Sequence, residues 1–412
     1  MSTRLPIVAV AVLIALTVTA CGSEAAGPDE PAPRAPTGTI LFAVSTGGSE
    51  LDADGYAIQI MQLARTERVG TNDSLRITGL ELGSYTVLLQ GVAANCLSEP
   101  AALRSALVRA EAETRVAWDV TCYVDRWRQQ TIASSRNLRI AFVDTNHGFA
   151  SGRGDRPEFW VTSDGGTTWT KRSDAPAPGD VGSLFYMRDA QLGFIGGANM
   201  QLARTEDGGA TWSVQRLAES GGYLLRAYFL GDYGWLGGSR GWFFRTRDAG
   251  KTWQQVTLEF NRNTFGVFFA DTLNGVIATE GGGVYTSADG GQTWTQRSSG
   301  TGQHLQEMDF MNDSVGVAVG DNGVIIRTTN RGVTWSAATT PSSIQLWGVD
   351  ISPDGFGVAA GEEGTLLVTR DGGLTWEKEF TAAQTVLVHP SVVSQNFAWV
   401  GGLATILRRV VP

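Results

Sequence analysis

The chain has 412 residues, with 52 glycines, 13 tryptophans and only 18% charged side chains. That composition suits short strands joined by tight turns and excludes a coiled coil or a disordered chain. A formal charge of −9 leaves no basic footprint for phosphates, which excludes duplex nucleic acid as a partner.

Arg4 supplies an early positive charge, and Ile7 to Val18 is an apolar run too short for a relaxed membrane span. It ends in Val18-Thr19-Ala20-Cys21, a branched apolar residue, two small residues and a cysteine. The tetrad resembles a bacterial lipobox. Residues 1–20 are therefore expected to be a lipoprotein signal peptide, with Cys21 the lipidated first residue of the mature chain. Residues 21–36 comprise that cysteine and a small, Pro-rich, polar tether. The expected location is extracytoplasmic, with the membrane reached through the lipid anchor only. Cys96 and Cys122 are the even pair left over, and in an oxidising compartment they are expected to form a disulfide. In the chain-entropy model the loop they close contributes ~3 kcal/mol. Two cysteines and three scattered histidines give no metal site, and no cofactor motif is present.

Residues 37–123 alternate apolar and polar side chains in Thr39–Val44, Tyr56–Ile60, Leu75–Ile77, Ser84–Leu89 and Thr114–Val120. Turn residues separate the runs, which predicts a small antiparallel β-sandwich. Ile77-Thr78-Gly79-Leu80 with Gly83-Ser84-Tyr85-Thr86-Val87 resembles a strand pair of transthyretin-like and carboxypeptidase-regulatory-like domains. Asp52-Ala53-Asp54-Gly55 reads as a hairpin turn, because the later carboxylates of a calcium loop do not follow.

From residue 162 the pattern Ser/Thr-x-Asp-x-Gly-x-Thr-Trp recurs six times. Its acidic and aromatic positions are Asp164 and Trp169, Asp207 and Trp212, Asp248 and Trp253, then Asp289 and Trp294. Asn330 and Trp335, then Asp371 and Trp376, complete the set. After a first step of 43, the tryptophans recur every 41 residues, the length of one four-stranded propeller blade. A second series, running from Gly148-Phe149 to Gly357-Val358, continues to Ala398-Trp399 without a seventh box. Trp127 precedes Trp169 by 42 residues, in phase with the repeat. Residues 125–133 are therefore expected to supply the outer strand of the last blade. Residues 124–412 are then a seven-bladed, all-β propeller closed by strands from both of its ends. In each box the carboxylate is expected to accept backbone N–H groups, the glycine to allow positive φ, and the tryptophan to pack at the base of its sheet.

Phrases such as GVAVGDNGVIIRTTNRGVTW resemble the photosystem II stability/assembly factor family over about 285 residues. The resemblance implies a seven-bladed fold and non-catalytic binding of a protein partner. That family groups arginines on its surface, and Arg204, Arg245, Arg327 and Arg409 are the candidate basic stripe just before the boxes. The alternative is a carbohydrate-binding or sialidase-like, glycoside-cleaving propeller with a glycan ligand. That chemistry needs an arginine triad, a tyrosine nucleophile with a glutamate, and an acid–base aspartate on the axis. Arg139-Ile140-Ala141-Phe142 is the nearest match to its first-blade motif, and Ala141 breaks it. Arg226, Glu307, Asp309 and Asp350 are polar candidates for the channel. No catalytic residue is assigned. Loops opposite the boxes vary without disturbing the blades, so they are the expected binding face. Its candidates are Arg153, Arg240, Trp242, Arg262, His304, Glu362 and Glu363, with Trp242 as an exposed aromatic anchor.

Overall fold

The computed structural model describes residues 35–48, 51–93, 96–99, 102–122, 126–154, 158–172, 181–219 and 221–410. The signal segment, Cys21, nearly all of the tether, and Asp155 beside Arg153 lie outside the described residues. Among the described residues there is no α-helix, and no helix is long and apolar enough to cross a membrane.

The N-terminal region holds β1 (Thr37–Gly48), β2 (Tyr56–Ile60), β3 (Arg65–Val69), β4 (Asp73–Glu81), β5 (Gly83–Gln90), β6 (Cys96–Glu99), β7 (Leu103–Val108) and β8 (Glu113–Cys122). They form two four-stranded sheets, ordered β4-β1-β8-β6 and β3-β2-β5-β7. Period-two alternation buries Ile40, Phe42 and Val44 of β1 and Tyr85, Val87 and Leu89 of β5 in one core with Trp118. β1 pairs with β8 in parallel, a departure from the all-antiparallel expectation. Three strands escaped the sequence reading: β3, β6 and β7. β3 buries only Val69 and has no apolar alternation to reveal it. Cys96 and Cys122 face each other across β6 and β8 and are joined by a disulfide with Cα atoms 4.0 Å apart. The staple therefore joins two strands. Asp52 accepts the Ala93 N–H at 2.8 Å, a local cap that ties the turn to a neighbouring segment.

Beyond residue 126 the strands form seven further four-stranded sheets, a β-propeller. In the first, β10 (Leu138–Phe142), β11 (Gly148–Gly152), β12 (Glu158–Thr162) and β13 (Thr170–Lys171) pair in sequence order. Five more sheets repeat this meander. The last joins Leu387–Ser394, Phe397–Gly402 and Thr405–Arg409 to β9 (Trp127–Gln130), with Trp127 opposite Arg409. The first strand of each sheet neighbours the first strand of the next, and the circuit closes from Leu387–Ser394 back to β10. Glu379 clamps this seam. Its carboxylate accepts Trp127 Nε1–H at 2.8 Å, and it pairs with Arg370 at 2.6 Å and Arg409 at 3.2 Å.

The Asp-box turns connect third to fourth strands. In the second sheet, Asp207 Oδ1 accepts the Thr205 hydroxyl and the Thr211 N–H, both at 2.8 Å. The Thr205 Oγ1 in turn accepts the Gly209 N–H at 2.8 Å, with Gly209 at φ 84°. Asn330 makes the same turn without a charge, its Nδ2 donating to Thr334 Oγ1 at 2.9 Å. The box tryptophans are less buried than expected. Trp376 alone among them is fully buried, and the other five are half-buried. Those five meet phenylalanines of the propeller edge-on, as Trp294 does with Phe243 at 5.3 Å.

Candidate partner-binding site

Two of the four arginines of the expected basic stripe, Arg204 and Arg327, are joints between sheets. Arg204 and Arg409 are buried. Arg204 Nε donates to the Ala249 carbonyl of the next sheet's box at 2.9 Å, and Arg327 Nε to the Gly372 carbonyl at 2.7 Å. Where a tryptophan occupies the neighbouring strand, it takes the same joint. Trp235 Nε1–H donates to Gly290 O and Trp399 Nε1–H to Gly165 O, both at 3.0 Å. Arg245 is thereby left to bond Gln254 within its own sheet. The strand register also corrects the seventh position. Arg408 lies opposite Trp399 just as Arg204 lies opposite Phe194, so Arg408, not Arg409, is the equivalent residue.

The inner strands carry a second set of joints. Asp309 Oδ2 accepts the Ile351 N–H at 2.9 Å, and Asp350 Oδ2 accepts the Val392 N–H at 2.6 Å. Ser391 Oγ accepts the Phe142 N–H at 2.8 Å. Burial raises Asp350 well above the carboxylate range, and the facing Asp309 raises it further. Burial raises Asp309 as well, and each carboxyl bonds the next sheet's backbone.

On the face opposite the boxes the sequence candidates divide. Trp242 is half-buried, stacked on Phe244 at 5.9 Å, and does not stand free. Arg262 Nη1 caps the Glu280 carbonyl at 2.9 Å. His304 is exposed, with Nδ1 accepting the Gly281 N–H at 3.2 Å. Arg240 and Glu363 are exposed, each at φ 55° in the turn between second and third strands. Only Arg153 and Glu362 of the seven line a shared cavity.

That cavity, about 440 Å³, is lined by side chains from the innermost strands of several sheets, so it sits on the propeller axis. Phe265, Trp347 and Val388 give it apolar walls, and Arg139, Arg226 and Gln306 give it polar ones. Arg153 and Glu362 lie in turns that follow second strands, which places the opening on the face away from the boxes. Beneath it, Arg226 Nε stands 3.0 Å from Glu307 Oε1, with His389 Nε2 3.9 Å from the same oxygen. Burial raises the Glu307 carboxyl, although Arg226 and Arg139 pull it back. Burial, with Arg139 and Arg226, holds His389 well below its usual value, so the imidazole is neutral at pH 7. Burial and then Arg226 push Arg139 down to about 9, still cationic at neutral pH. Sequence reading named Arg226 and Glu307 for the channel and met Arg139 only as a failed motif. Trp347 and Phe265 carried no signal, because neither recurs at the blade period.

The inner-strand phenol of Tyr186 is pushed up to about 12 and that of Tyr228 higher still, both by burial. Such phenols stay protonated and make poor nucleophiles. Among the described residues no group of three or more His, Cys, Asp or Glu is placed to hold a metal ion.

The comparisons with known proteins agree with the propeller fold. A family model described as photosynthesis system II assembly factor YCF48 matches residues 178–302 and 251–349, together less than half of the chain. The chain is a β-propeller whose residues 178–349 are similar to that assembly-factor family. A solved structure described as YCF48 bound to D1 peptide is similar at TM-score 0.58 and 22% identity, over 70% of this chain and 97% of that one. YCF48 from Cyanidioschyzon merolae is similar at TM-score 0.54 and 18% identity, over 69% and 98%. The WD40 propeller domain of Doa1 reaches TM-score 0.56 at 13% identity, over 69% and 96%. At these identities the likeness establishes the fold. No curated protein matches the chain.

Proposed function

We propose that this chain is a non-catalytic binding scaffold that holds a segment of another protein at the axial cavity opposite the Asp-boxes. The observation that carries the reading is the cavity itself, part apolar and part polar, built at equivalent positions of successive sheets where the residue type differs from one sheet to the next. The assembly-factor family match supports a protein as the ligand, as does the fold's likeness to a propeller solved with a peptide. In this reading the seven sheets are the blades of one closed ring, and residues 37–123 are an appended β-sandwich. Cys21 carries the lipid that holds the scaffold outside the cytoplasm.

Affinity capture from native membranes tests the reading. Wild type should recover a specific protein, and Arg153→Ala with Glu362→Ala should lose it while melting unchanged. Equal recovery by the double variant would place the partner elsewhere. Cys21→Ser should abolish partitioning into detergent, and unchanged partitioning would refute the anchor.

A further inference from the structure

Buried polar atoms in folded proteins nearly always have partners, so a cluster of unpartnered ones marks a place built for something else. The axial cavity and the layer beneath it hold such a cluster. Trp347 Nε1, a buried donor, and Glu307 Oε2, a buried acceptor, have no hydrogen-bond partner among the described residues. Arg139, which lines the same cavity, makes no hydrogen bond or ion pair within the described residues; Arg226 and Arg153 repel it and Glu307 attracts it without bonding it. Glu307 is already engaged by Arg226 at 3.0 Å. Glu362 is the remaining carboxylate of the lining, against three arginines.

Arg139 and Arg226 line a partly enclosed pocket with the exposed Arg153 at its mouth, and Glu307 directly pairs only Arg226, so Arg139 is left without a bonded anion. A carboxylate answers this donor set better than a neutral group, since arginine forks match its two oxygens. The Phe265 and Trp347 walls suit an apolar body attached to it.

We infer that the axial cavity is a carboxylate-binding site, with Arg139 the principal anchor and the Trp347 indole N–H a second donor. The ligand is an acid bearing a flat or aliphatic apolar group. It is either a small free organic acid or the carboxylate of a protein segment held at this face. The second source rests on the scaffold reading given above.

Calorimetric titration of the purified full chain decides it. The probes are phenylacetate, N-acetylphenylalanine, N-acetylphenylalaninamide and a short peptide ending in Phe with a free carboxyl group. N-acetylphenylalanine should bind at least about tenfold tighter than its amide, the factor that loss of a charge-assisted bond produces. Arg139→Gln should bring that ratio to within about twofold without changing the melting temperature. Should Arg139→Gln fail to fold, Trp347→Phe should still weaken the acid more than the amide. If the peptide binds much tighter than phenylacetate, the ligand is a chain segment; if they bind alike, it is a free acid. Either result upholds the carboxylate site, and the second removes support from the scaffold reading alone. Equal affinity for acid and amide, an unchanged ratio in Arg139→Gln, or no binding of any acid at ~10 mM would overturn the inference.

Discussion

The two faces of the propeller treat polar groups in opposite ways. On the box face each turn satisfies itself: carboxylate, hydroxyl and backbone N–H bond within four residues of one another. In four of the six boxes the outward carbonyl is then taken by an arginine or tryptophan of the preceding sheet. At the axial cavity, residues about forty apart in sequence meet once, and several of their polar atoms have no protein partner. The contrast teaches that the conspicuous repeat is the scaffold, and that unsatisfied polar groups collect where the residue type is not repeated.

The sharpest test of the scaffold side is its closure. A chain beginning at residue 134 lacks β9 and with it Trp127, which is buried and bonded to Glu379. It should aggregate and lose cooperative melting, because the seventh sheet is left with a bare edge. If it melts like the full propeller, the seam contributes little and the ring holds by its other joints.

Next in size is the joint itself. Trp399 is fully buried, stacked on Phe142 at 3.6 Å and bonded to Gly165 O. Trp399→Ala should cost about 3–5 kcal/mol in denaturant unfolding, through a cavity and an unpaired carbonyl. Trp294→Ala, in a half-buried box residue, should cost less. Reversal of that order would return the structural weight to the boxes.

A smaller effect concerns pH. Hydrogen bonds from Thr168, Thr211 and Thr252 hold Asp164, Asp207 and Asp248 down at about 2. Their folded pKa lies below the unfolded value, so the stability they add is complete above about pH 5 and is lost as pH falls toward 2. Asp207→Asn, which copies the natural Asn330, should flatten the acid limb of a melting-temperature profile. The Asp309–Asp350 pair has the opposite sign. Its raised values favour the protonated form, so the folded state loses that advantage as pH rises through them.

The smallest stability effect is expected on the open face. Arg240 is exposed at φ 55°, a conformation glycine adopts freely. Arg240→Gly should change stability by less than about 1 kcal/mol, and any loss of partner capture would then report contact alone. A large stability loss would show that this face is built like the other.

The box turns, the 41-residue period and the pairing of Trp127 with the last sheet were legible in the sequence because each rests on local or periodic physics. A turn that bonds within four residues leaves the same letters at every copy, and a phase survives any distance along the chain. The sequence by itself also determined the Cys96–Cys122 pair, by count. Only the tertiary structure decided which arginines are joints and which are free. Arg204 and Arg139 carry the same letter, yet one meets the carbonyl of Ala249 and the other meets an open cavity. Partners for a long side chain come from the neighbouring sheet and from the axis, and neither is written in the residues beside it.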